Sequence, residues 1–542
     1  MTLFERILAA RGLSAKSKAA FLNPKYELTH DPFLLNDMDK AVDRLVEAHK
    51  KQDKIVIYGD YDIDGLSATT LLFDAFGSFG FKNVEIFIPN RFEEGYGLTT
   101  EAIDRFARDK VKLIVTVDCG STSEKEIIHA NKLGLDVIVT DHHDCMSKHV
   151  PAVAVVNPKY DGNKYPFVDL AGVGVAFKLV CALQTKLKGI PKGHEKWLLD
   201  LVALGTVCDV VQLVDENRTF VYFGMKVLAK TKKQGLRALM AVAAVDPEKI
   251  DSRSLGYRLG PRMNAAGRLE TAKHTMDMLT SDDPMVALEK AEYLDDLNKS
   301  RRIEQDKIFK DALVQAERYA DDPVLVLSGV DWNHGVVGIV ASKILEKYKK
   351  PTFVLQEIGD ESKGSARSFG DFSVIEAVNS AKHLINKGGG HKMAAGVTLP
   401  TKNIKKFRKQ VNDFYKSLNL TNQSQLLLPK TDATADLGEI TEELVQQISR
   451  LEPFGMGNPQ PIIECDNLEV RKIQKMGPDC QHVKLDLGDK SGETMQFISF
   501  NAPESCFVDV GSLVNIWFHP NINEWRGRCS VEGQILHIVQ KV

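Results

Sequence analysis

Residues 54–65 read Lys-Ile-Val-Ile-Tyr-Gly-Asp-Tyr-Asp-Ile-Asp-Gly, an apolar run that ends in a cluster of aspartates. The β-branched stretch 55–58 predicts a buried strand, and the loop after it carries Asp60, Asp62 and Asp64 at alternate positions. A fold avoids crowding like charges at a strand end unless a cation lies there, and clustered carboxylates suit Mg²⁺ or Mn²⁺. An Asx-rich turn that caps the next helix is the alternative for this stretch alone.

The bulk composition is that of a globular protein with more than one core. A chain of 542 residues predicts roughly three or four domains. A net charge of −3 excludes a global basic field, so any polyanion site must be local and helped by metal. The 8 cysteines include no C-x-x-C pair and indicate neither a disulfide framework nor a zinc site. No signal-peptide core or transmembrane run is seen, which predicts a cytoplasmic protein without membrane contact.

Strands and helices alternate after residue 55, which predicts a parallel sheet with helices on both faces. Asp118 follows the predicted strand 113–117, and Asp141-His142-His143 follow the predicted strand 137–140. Ligand sites in such sheets lie beyond the carboxyl ends of the strands, so these groups should meet the first aspartates at one edge. Imidazole and carboxylate together suit a site that tolerates Mn²⁺. The remaining predicted strands of this sheet are 84–88 and 152–156.

A further carboxylate, Asp209, interrupts the apolar run 205–211. An unpaired buried aspartate is costly, so a metal partner explains it, and a helix cap or a buried salt bridge is the alternative. These groups together offer enough ligands for two ions. A two-metal site activates a water and stabilises both oxygens of an in-line phosphoryl displacement, which fits phosphodiester hydrolysis. Asp118, which stands alone between the clusters, suits a position facing both ions.

The rest of the chain predicts a helical connector, a second α/β unit and a β-rich tail. The charged pattern 285–319 predicts a long linking helix, and a surface helix of the first domain is the alternative. The expected fold class is therefore α/β, with two α/β domains joined by a long helix and a C-terminal OB-like β-barrel. The predicted divisions are an N-terminal helical segment (1–50), a catalytic domain (51–220), a helical connector (221–320), a substrate-binding domain (321–425) and the barrel (431–542).

Eight motifs follow one another from residue 55 to residue 396: IYGDYDIDG, VDCG, DHH, CDVV, GPRMNAAGR, GVVGIVAS, SARS and GGGHKMAAG. In this order they resemble the DHH phosphoesterase superfamily and, within it, the RecJ family of single-strand-specific exonucleases. The segment 451–459 at the entry to the tail is also RecJ-like, so the resemblance covers nearly the whole chain. The combination is highly specific, although each motif alone is weaker.

The resemblance implies a metal-dependent exonuclease that degrades single-stranded DNA in the 5′→3′ direction to 5′-mononucleotides, in DNA repair and recombination. It implies two ions, Mn²⁺ or Mg²⁺. The implied ligands are Asp62, Asp64, Asp118, His142 and Asp209, with Asp60 and His143 close by, either as a further ligand or as groups that contact the ligands. Asp141 would orient a histidine, and the implied catalytic set is Asp118, Asp141, His142 and His143.

The resemblance also implies that the connector and the second α/β domain bind DNA phosphates. The implied groups are Arg262, Asn264, Arg268, Ser365, Arg367, Ser368, Gly389, Gly390 and His391. The residue types support this phosphate-binding role, because glycines let backbone N–H groups approach a phosphate and arginines pair with its oxygens. A tight turn at 388–390 and an ordinary surface charge at Arg262 are the alternatives.

Two other segments carry patterns that are interpreted separately. Trp517, Trp525, Arg526 and Arg528 of the tail are candidates for contact with a single strand, although a barrel core also uses aromatic residues. The run Ala-Gly-Val-Gly-Val-Ala-Phe at 171–177 begins like a dinucleotide-binding fingerprint. Its phenylalanine stands where the last glycine or alanine belongs, so we predict helix packing.

Single-stranded DNA is the expected partner, and the resemblance makes a single-strand-binding protein and a RecQ-like helicase plausible further partners. A monomer is the default state. Two other functions stay open. A DHH phosphodiesterase for short oligonucleotides or cyclic dinucleotides would share the metal site but typically lacks the barrel. A relative that only binds DNA or replication proteins would have lost carboxylates from the metal motifs, and none is lost here.

Overall fold

The computed structural model describes residues 1–13, 15–91, 93–145, 150–420, 426, 428–525 and 527–541. The chain divides into two compact units. Unit 1 comprises Met1–Gly267, Thr271–Tyr293 and Pro429–Val542, and unit 2 comprises Arg268–Glu270 and Leu294–Leu428. Among the described residues, no helix has the length and apolarity that crossing a bilayer requires.

Unit 1 begins with helices and continues as a parallel sheet. Its first elements are α1 (Leu3–Ala10), α2 (Ala15–Leu22), α3 (Met38–Lys51), β1 (Ile55–Tyr58), α4 (Ile63–Phe79), β2 (Val84–Phe87), α5 (Thr100–Arg108), β3 (Leu113–Val117), α6 (Glu124–Lys132), β4 (Asp136–Thr140) and β5 (Ala154–Val156). The strand order is β2-β1-β3-β4-β5, and the predicted parallel sheet is confirmed. The last strand begins at Ala154 rather than at residue 152, because the N–H of Ala152 bonds to Val150 O in a turn.

The strand order places the carboxyl ends of β1, β3 and β4 side by side. β3 lies between the other two strands, so Tyr58, Val117 and Thr140 end at one edge of the sheet. Every residue of β1 and β3 is buried, because helices cover both faces, and this explains why the strands read as unbroken apolar runs. The polar residues that follow each strand therefore converge at that edge.

Helices dominate the next part of the chain. They are α7 (Gly172–Leu183), α8 (Leu199–Cys208), α9 (Asp215–Leu228), α10 (Gln234–Val242), the π-helical segment Ser254–Leu259, α11 (Gly260–Leu269), α12 (Lys273–Leu279) and α13 (Pro284–Arg318). The run 171–177 forms the start of α7, as its packing interpretation predicted. The long helix expected at 285–319 is α13, which begins in unit 1 and continues in unit 2.

A buried ion pair joins α7 and α9 to the segment between α2 and α3. Lys178 on α7 donates to Glu216 on α9, and the two side chains are only 3% and 1% exposed. The Lys178 ammonium also donates to His30 O (2.7 Å), and Glu216 accepts the N–H of His30 (2.7 Å). The Tyr165 hydroxyl donates to the second Glu216 oxygen. Each charge thus has several partners, which offsets the cost of removing both charges from water.

Unit 2 contains the second α/β sheet. Its elements after α13 are β6 (Leu325–Gly329), α14 (His334–Tyr348), β7 (Thr352–Ile358), β8 (Glu361–Arg367), α15 (Val374–Ser380), β9 (Lys387–Gly390), β10 (Ala394–Pro400) and α16 (Ile404–Ser417). The order is β6-β7-β8-β10-β9, with β6 and β7 parallel and the other pairs antiparallel. The glycine-rich run is thus the edge strand β9 rather than only a tight turn. Residues 421–425 and 427, which follow α16, lie outside the described residues.

The tail forms a closed barrel. Its elements are β11 (Ala433–Thr434), α17 (Glu442–Ser449), β12 (Ile463–Met476), β13 (His482–Gly488), β14 (Thr494–Ser499), β15 (Leu513–Trp525) and β16 (Arg528–Gln540). The sheet runs β11-β12-β13-β14-β16-β15, and the pairing of β12 with β15 closes it. The expected OB-like barrel is confirmed. Its core includes Leu3, Phe4, Ile7 and Leu8 of α1, so the first helix packs against the last part of the chain.

We predict that Glu216→Gln lowers the free energy of unfolding by about 3–5 kcal/mol, because it leaves the Lys178 ammonium buried without its counter-charge. Chemical and thermal unfolding followed by circular dichroism would measure this. Asp296→Asn is the matched control, since Asp296 pairs with Lys299 on an exposed face of α13; it should cost less than about 1 kcal/mol. Equal effects of the two substitutions would contradict the role given to the buried pair.

Candidate metal centre

Aspartates from three places in unit 1 converge at the edge of the first sheet. Asp60 and Asp62 follow β1, and Asp62 caps α4 by accepting the N–H of Asp64 (2.9 Å). Asp118 follows β3 in a left-handed backbone conformation (φ 61°), which is uncommon for a residue with a side chain. Asp209 is the C-cap of α8. The strand ends and one helix end thus supply a set of carboxylates to one place.

The N-terminus of α7 fixes the carboxylate of Asp64. The N–H groups of Gly172 (2.6 Å) and Val173 (2.9 Å) donate to its two oxygens. Unpaired N–H groups and the helix dipole both favour negative charge at this end of a helix. The run that begins like a dinucleotide-binding fingerprint therefore contributes to the carboxylate cluster through its backbone, a role that its sequence did not indicate.

Glycines make the close approach of the carboxylates possible. A Cβ at Gly172 would lie 2.7 Å from Asp118 Oδ1, and a Cβ at Gly205 would lie 2.8 Å from Asp64 Oδ1. Both distances are shorter than the contacts that real Cβ atoms make, so neither position accepts a side chain without displacing a carboxylate. These two glycines were not predicted as site residues, because their importance depends on packing between distant segments.

His142 points its Nε2 atom into the cluster. That nitrogen lies 3.1 Å from Asp118 Oδ1, 3.5 Å from Asp209 Oδ2 and 3.7 Å from Asp64 Oδ2. Burial lowers the pKa of His142 to about 3, and the positive charge of His143 acts in the same direction. The imidazole is therefore neutral at physiological pH, which leaves a nitrogen lone pair available to a metal ion.

Asp141 binds the loop that carries the histidines. Its Oδ2 accepts the N–H of Ser121 (2.9 Å), and its Oδ1 accepts the N–H of His142 (2.7 Å) and lies 2.8 Å from His143 Nδ1. Burial alone would raise the pKa of Asp141, but the bond to His143 and its charge hold that pKa below its usual range. Burial lowers the pKa of His143, but the hydrogen bond to Asp141 and the charge of that carboxylate outweigh burial and raise the pKa to about 9. This geometry fits the orienting role expected for Asp141.

Tyr96 is a site residue that the sequence analysis missed. Its hydroxyl donates to Asp118 O (3.1 Å) and lies 3.0 Å from His143 Nδ1. The ring packs edge-on against that of His143, with centroids 5.5 Å apart. Gly95 and Gly97 flank it at positive φ (83° and 88°). A tyrosine between two glycines in the connection after β2 was the available signal, since it marks a constrained loop near the strand ends.

The electrostatics of the cluster favour a bound cation. Burial, together with the charges of neighbouring aspartates, raises the pKa of Asp64 to about 7 and that of Asp209 to about 9. The same causes raise the pKa values of Asp60 and Asp118 well above the usual range. Carboxyl groups with such pKa values repel one another when ionised, and a divalent ion would remove that repulsion.

The donor set fits Mn²⁺ or Mg²⁺. Asp60 Oδ1, Asp118 Oδ1 and His142 Nε2 are buried, and within the described residues none of them makes a hydrogen bond of normal geometry, although the last two atoms lie 3.1 Å apart. Ligand atoms lie within 4.8 Å of one another in three groups, which are Asp60–Asp62–Asp118, Asp64–His142–Asp209 and Asp118–His142–His143. Oxygen ligands together with one or two imidazoles suit these ions. Buried acceptor atoms normally have hydrogen-bond partners, so a bound cation explains why these atoms have none.

The predicted phosphate-binding residues of unit 2 come together on its sheet. β10 lies between β8 and β9, so Gly396 pairs with both Ser365 and Gly389, while Ala394 pairs with Arg367. The Arg367 guanidinium and Ser365 hydroxyl also lie against α14, where a Cβ at Gly338 would be 3.1 Å and 3.3 Å from them. Ser368 and His391 continue β8 and β9, and their N–H groups donate to Met393 O and Ala394 O (both 2.8 Å).

The other predicted DNA contacts lie elsewhere. Arg262 and Asn264 are on the part of α11 that belongs to unit 1, whereas Arg268 belongs to unit 2 and donates to Gly335 O (3.2 Å). In the barrel, the Trp517 indole donates to the Thr431 hydroxyl (2.9 Å) and lies against His537. Trp525 and Arg528 pair where β15 meets β16, and Arg526 lies outside the described residues.

Comparison with known protein families finds three matches in chain order. The DHH family N-terminal domain matches residues 54–206, the DHHA1 domain matches 321–417, and the RecJ OB domain matches 431–537. The first match contains every residue of the carboxylate–histidine cluster except Asp209. The second contains the glycine-rich strand and Arg367.

Two curated relatives align over most of the chain. The single-stranded-DNA-specific exonuclease RecJ of Bacillus subtilis is 36% identical over 531 residues, and the alignment covers 97% of this chain but 66% of that protein. The protein of the same name from Salmonella typhimurium is 33% identical over 521 residues, covering 92% of this chain and 89% of the relative. The chain thus spans about two thirds of one relative and most of the other.

Solved structures match the same architecture. The crystal structure of Thermus thermophilus RecJ with Mn²⁺ superimposes with a TM-score of 0.81 at 27% identity, covering 99% of this chain and 78% of that one. The Mg²⁺ complex of the same protein gives a TM-score of 0.75 at 26% identity, covering 99% and 76%. These neighbours were solved with the ions that the donor set in this chain fits.

We predict that Gly172→Ala weakens Mn²⁺ binding by about 10- to 100-fold, because the added methyl displaces the Asp118 carboxylate. Isothermal titration calorimetry with MnCl₂ measures this directly. Gly77→Ala on α4 is the matched control, since a Cβ there meets nothing within 4 Å. The control should bind Mn²⁺ as the wild type does, and an unchanged affinity in Gly172→Ala would show that the close approach does not matter.

Proposed function

The chain belongs to the RecJ family, and from this premise we propose that it is a metal-dependent exonuclease specific for single-stranded DNA. The observation that carries the proposal is the buried carboxylate–histidine cluster with orphaned ligand atoms at the end of a parallel sheet. The enzyme removes nucleotides from the 5′ end toward the 3′ end and releases 5′-mononucleotides. Its place is in DNA repair and recombination.

Two ions fit the ligand groups. Asp60, Asp62 and Asp118 would hold one ion, and Asp64, His142 and Asp209 would hold the other. Asp118 belongs to two of the three groups and suits a position shared between the ions. Bound ions would supply Lewis acidity and a water of lowered pKa for phosphodiester hydrolysis. The backbone of α7 meanwhile keeps Asp64 in place, and Gly172 keeps space for Asp118.

His143 contributes charge rather than a ligand atom in this proposal. Burial lowers the pKa of His143, but the hydrogen bond and the charge of Asp141 outweigh burial and raise that pKa to about 9, which favours the imidazolium form. Its Nδ1 donates to Asp141, and the Tyr96 hydroxyl lies against the same nitrogen. The Nε2–H group of this partly exposed ring (40%) is then available to a phosphate oxygen or to the leaving oxygen. The arrangement neutralises charge that builds up on the phosphate during hydrolysis.

Groups that suit the phosphate backbone of the strand are found in unit 2 and, separately, on α11. Arg367, Ser365 and Ser368 supply donors from β8, and His391 supplies one after β9. The exposed glycines Gly389 and Gly390 let a strand approach the backbone of β9. Arg262, Asn264 and Arg268 on α11 add further donors. Arginine forks pair with phosphate oxygens and read no sequence, which suits an exonuclease that must accept every base.

We assign further properties on the same premise. Residues 51–220 carry catalysis, 321–425 bind substrate and 431–542 bind nucleic acid, with 1–50 and 221–320 as helical support. The protein acts in the cytoplasm as a monomer, and it works beside a single-strand-binding protein and a RecQ-like helicase. Sedimentation velocity tests the monomer, and pull-down with each purified partner tests the associations.

The function is tested with end-labelled DNA. With Mn²⁺, a 5′-labelled single strand should release labelled mononucleotide at once, whereas a 3′-labelled strand should release its label last. A chelator should stop both reactions, and a blunt duplex should resist. Release of the 3′ label first would reverse the polarity. Digestion of only di- to tetranucleotides would instead indicate a small-oligonucleotide phosphodiesterase.

We predict that Asp118→Asn lowers kcat by more than about 100-fold, because it removes the carboxylate that would serve both ions. The 5′-labelled strand assay measures the rate. Asp104→Asn is the matched control, since Asp104 on α5 is half-exposed and pairs with His129. The control should keep the wild-type rate, and a rate near wild type in Asp118→Asn would refute a shared ligand.

We predict that Arg367→Ala weakens single-strand binding and reduces the slope of log K against log salt by about 1, because one phosphate contact is lost. Fluorescence anisotropy at several salt concentrations measures the slope. Lys363→Ala serves as control, since this exposed residue lies on the same strand and pairs with Glu361. An unchanged slope in Arg367→Ala would exclude a phosphate contact.

A further inference from the structure

The π-helical segment Ser254–Leu259 lies against the end of α8 that carries Asp209. The Cys208 thiol contacts Leu255 O (3.7 Å), and a Cβ at Gly260 would lie 2.7 Å from the Cys208 sulfur. π-helical turns are rare and occur often at functional sites. The segment is therefore packed on the residue that directly precedes a candidate metal ligand.

The same segment continues along the loop of the first aspartates. A Cβ at Gly260 would lie 3.3 Å from the Ile63 side chain, and a Cβ at Gly267 would lie 3.1 Å from Tyr61 O. Tyr61 and Ile63 alternate with the aspartates of that loop. The π-helical segment and α11 thus flank both the β1 loop and the α8 end of the carboxylate cluster.

The opposite end of the segment reaches the barrel. The guanidinium of Arg253 lies 3.5 Å from the Gln534 amide oxygen on β16, and the Lys249 ammonium lies 3.3 Å from Glu524 on β15. All of these residues belong to unit 1. Contacts within this unit therefore connect the carboxylate cluster, through the π-helical segment, to the barrel.

The outward face of the segment carries an aromatic ring. Tyr257 is 74% exposed, whereas Ser254, Leu255 and Leu259 are buried beneath it. Arg253 precedes Tyr257 by four residues and Arg262 follows it by five, so the two arginines lie roughly one to one and a half helical turns from the ring along the chain. The Arg262 guanidinium donates to Arg258 O (2.6 Å), which keeps it along the segment. An exposed ring with a guanidinium on each side matches the order phosphate, base, phosphate of a nucleic acid strand.

We infer that this face, Arg253–Tyr257–Arg262, guides the single strand between the barrel and the metal centre, with the Tyr257 ring stacking on a base. The inference rests on the proposed exonuclease function and adds a base contact to it. Stacking accepts every base, because each has a π face, and so it suits an enzyme that reads no sequence. It also discriminates against a duplex, whose bases are already paired and stacked.

Tyr257→Ala should raise KM for a 20-nucleotide single strand by about 10-fold, because one stacked base is lost, and kcat should change less than KM. Tyr257→Phe should restore the affinity that Tyr257→Ala loses, since the phenyl ring stacks equally well. The side chain is exposed, so neither variant should unfold. Steady-state release of 5′-mononucleotide with Mn²⁺ supplies both constants.

Abasic substrates identify the contact. A series of 20-nucleotide strands, each with one abasic sugar at a different position, should contain one position at which the wild type loses about 10-fold in affinity. At that position Tyr257→Ala should show no further loss, because its partner base is already absent. Equal additional losses in Tyr257→Ala at every position would overturn the inference.

Trp197→Ala is the matched control. Trp197 is also an exposed ring (47%) in unit 1, but it lies just before α8, at the helix end opposite Asp209. Its removal should leave KM unchanged. Wild-type affinity in Tyr257→Ala overturns the stacking contact alone, whereas absence of nucleotide release by the wild type overturns the proposed function. Anisotropy of the same strands with chelator tests the stacking contact in either case.

Discussion

Repulsion between buried carboxylates is the constraint on which the functional part of this molecule depends. Asp60, Asp64, Asp118 and Asp209 are close together, and burial and mutual charge raise the pKa of each. The surrounding structure holds them there with N–H donors from α7, with glycines that leave space, and with the neutral imidazole of His142. The fold therefore keeps like charges close together at a cost in electrostatic free energy. A bound divalent cation would remove that cost, so the stability of this region and its affinity for metal are coupled.

The first sheet explains why this arrangement forms in one place. Parallel strands all present their carboxyl ends on the same side, and their helical connections cover the faces and leave that edge accessible. A loop after any of these strands can therefore contribute a ligand without disturbing the core. The contacts that complete the carboxylate cluster come from farther along the chain, where α7 and α8 bring Gly172, Gly205 and Asp209 to the same edge.

The sequence predicted those parts of the site in which a chemically distinctive residue directly follows a recognisable strand or helix pattern. Aspartates directly after apolar strands, such as Asp118, could be predicted together because strand order in a parallel sheet limits where their ends lie. The barrel and α13 could be predicted from periodicity. Contacts that depend on packing between distant segments could not: the N–H groups of α7 on Asp64, the Tyr96 hydroxyl on Asp118 O, and α1 in the core of the barrel. The sequence around a glycine does not show whether the glycine leaves space for a carboxylate from a distant segment or only allows a turn, so Gly172 and Gly205 could not be predicted as site residues.

We propose that one carboxylate cluster holds two divalent ions and that Asp118 faces both. X-ray diffraction at the manganese absorption edge, from crystals of the whole chain grown with MnCl₂, tests it most directly. We expect two anomalous peaks, one beside Asp60 and Asp62 and one beside Asp64, His142 and Asp209, with the Asp118 carboxylate adjoining both. A single peak, or peaks that leave Asp118 without an ion, would contradict it.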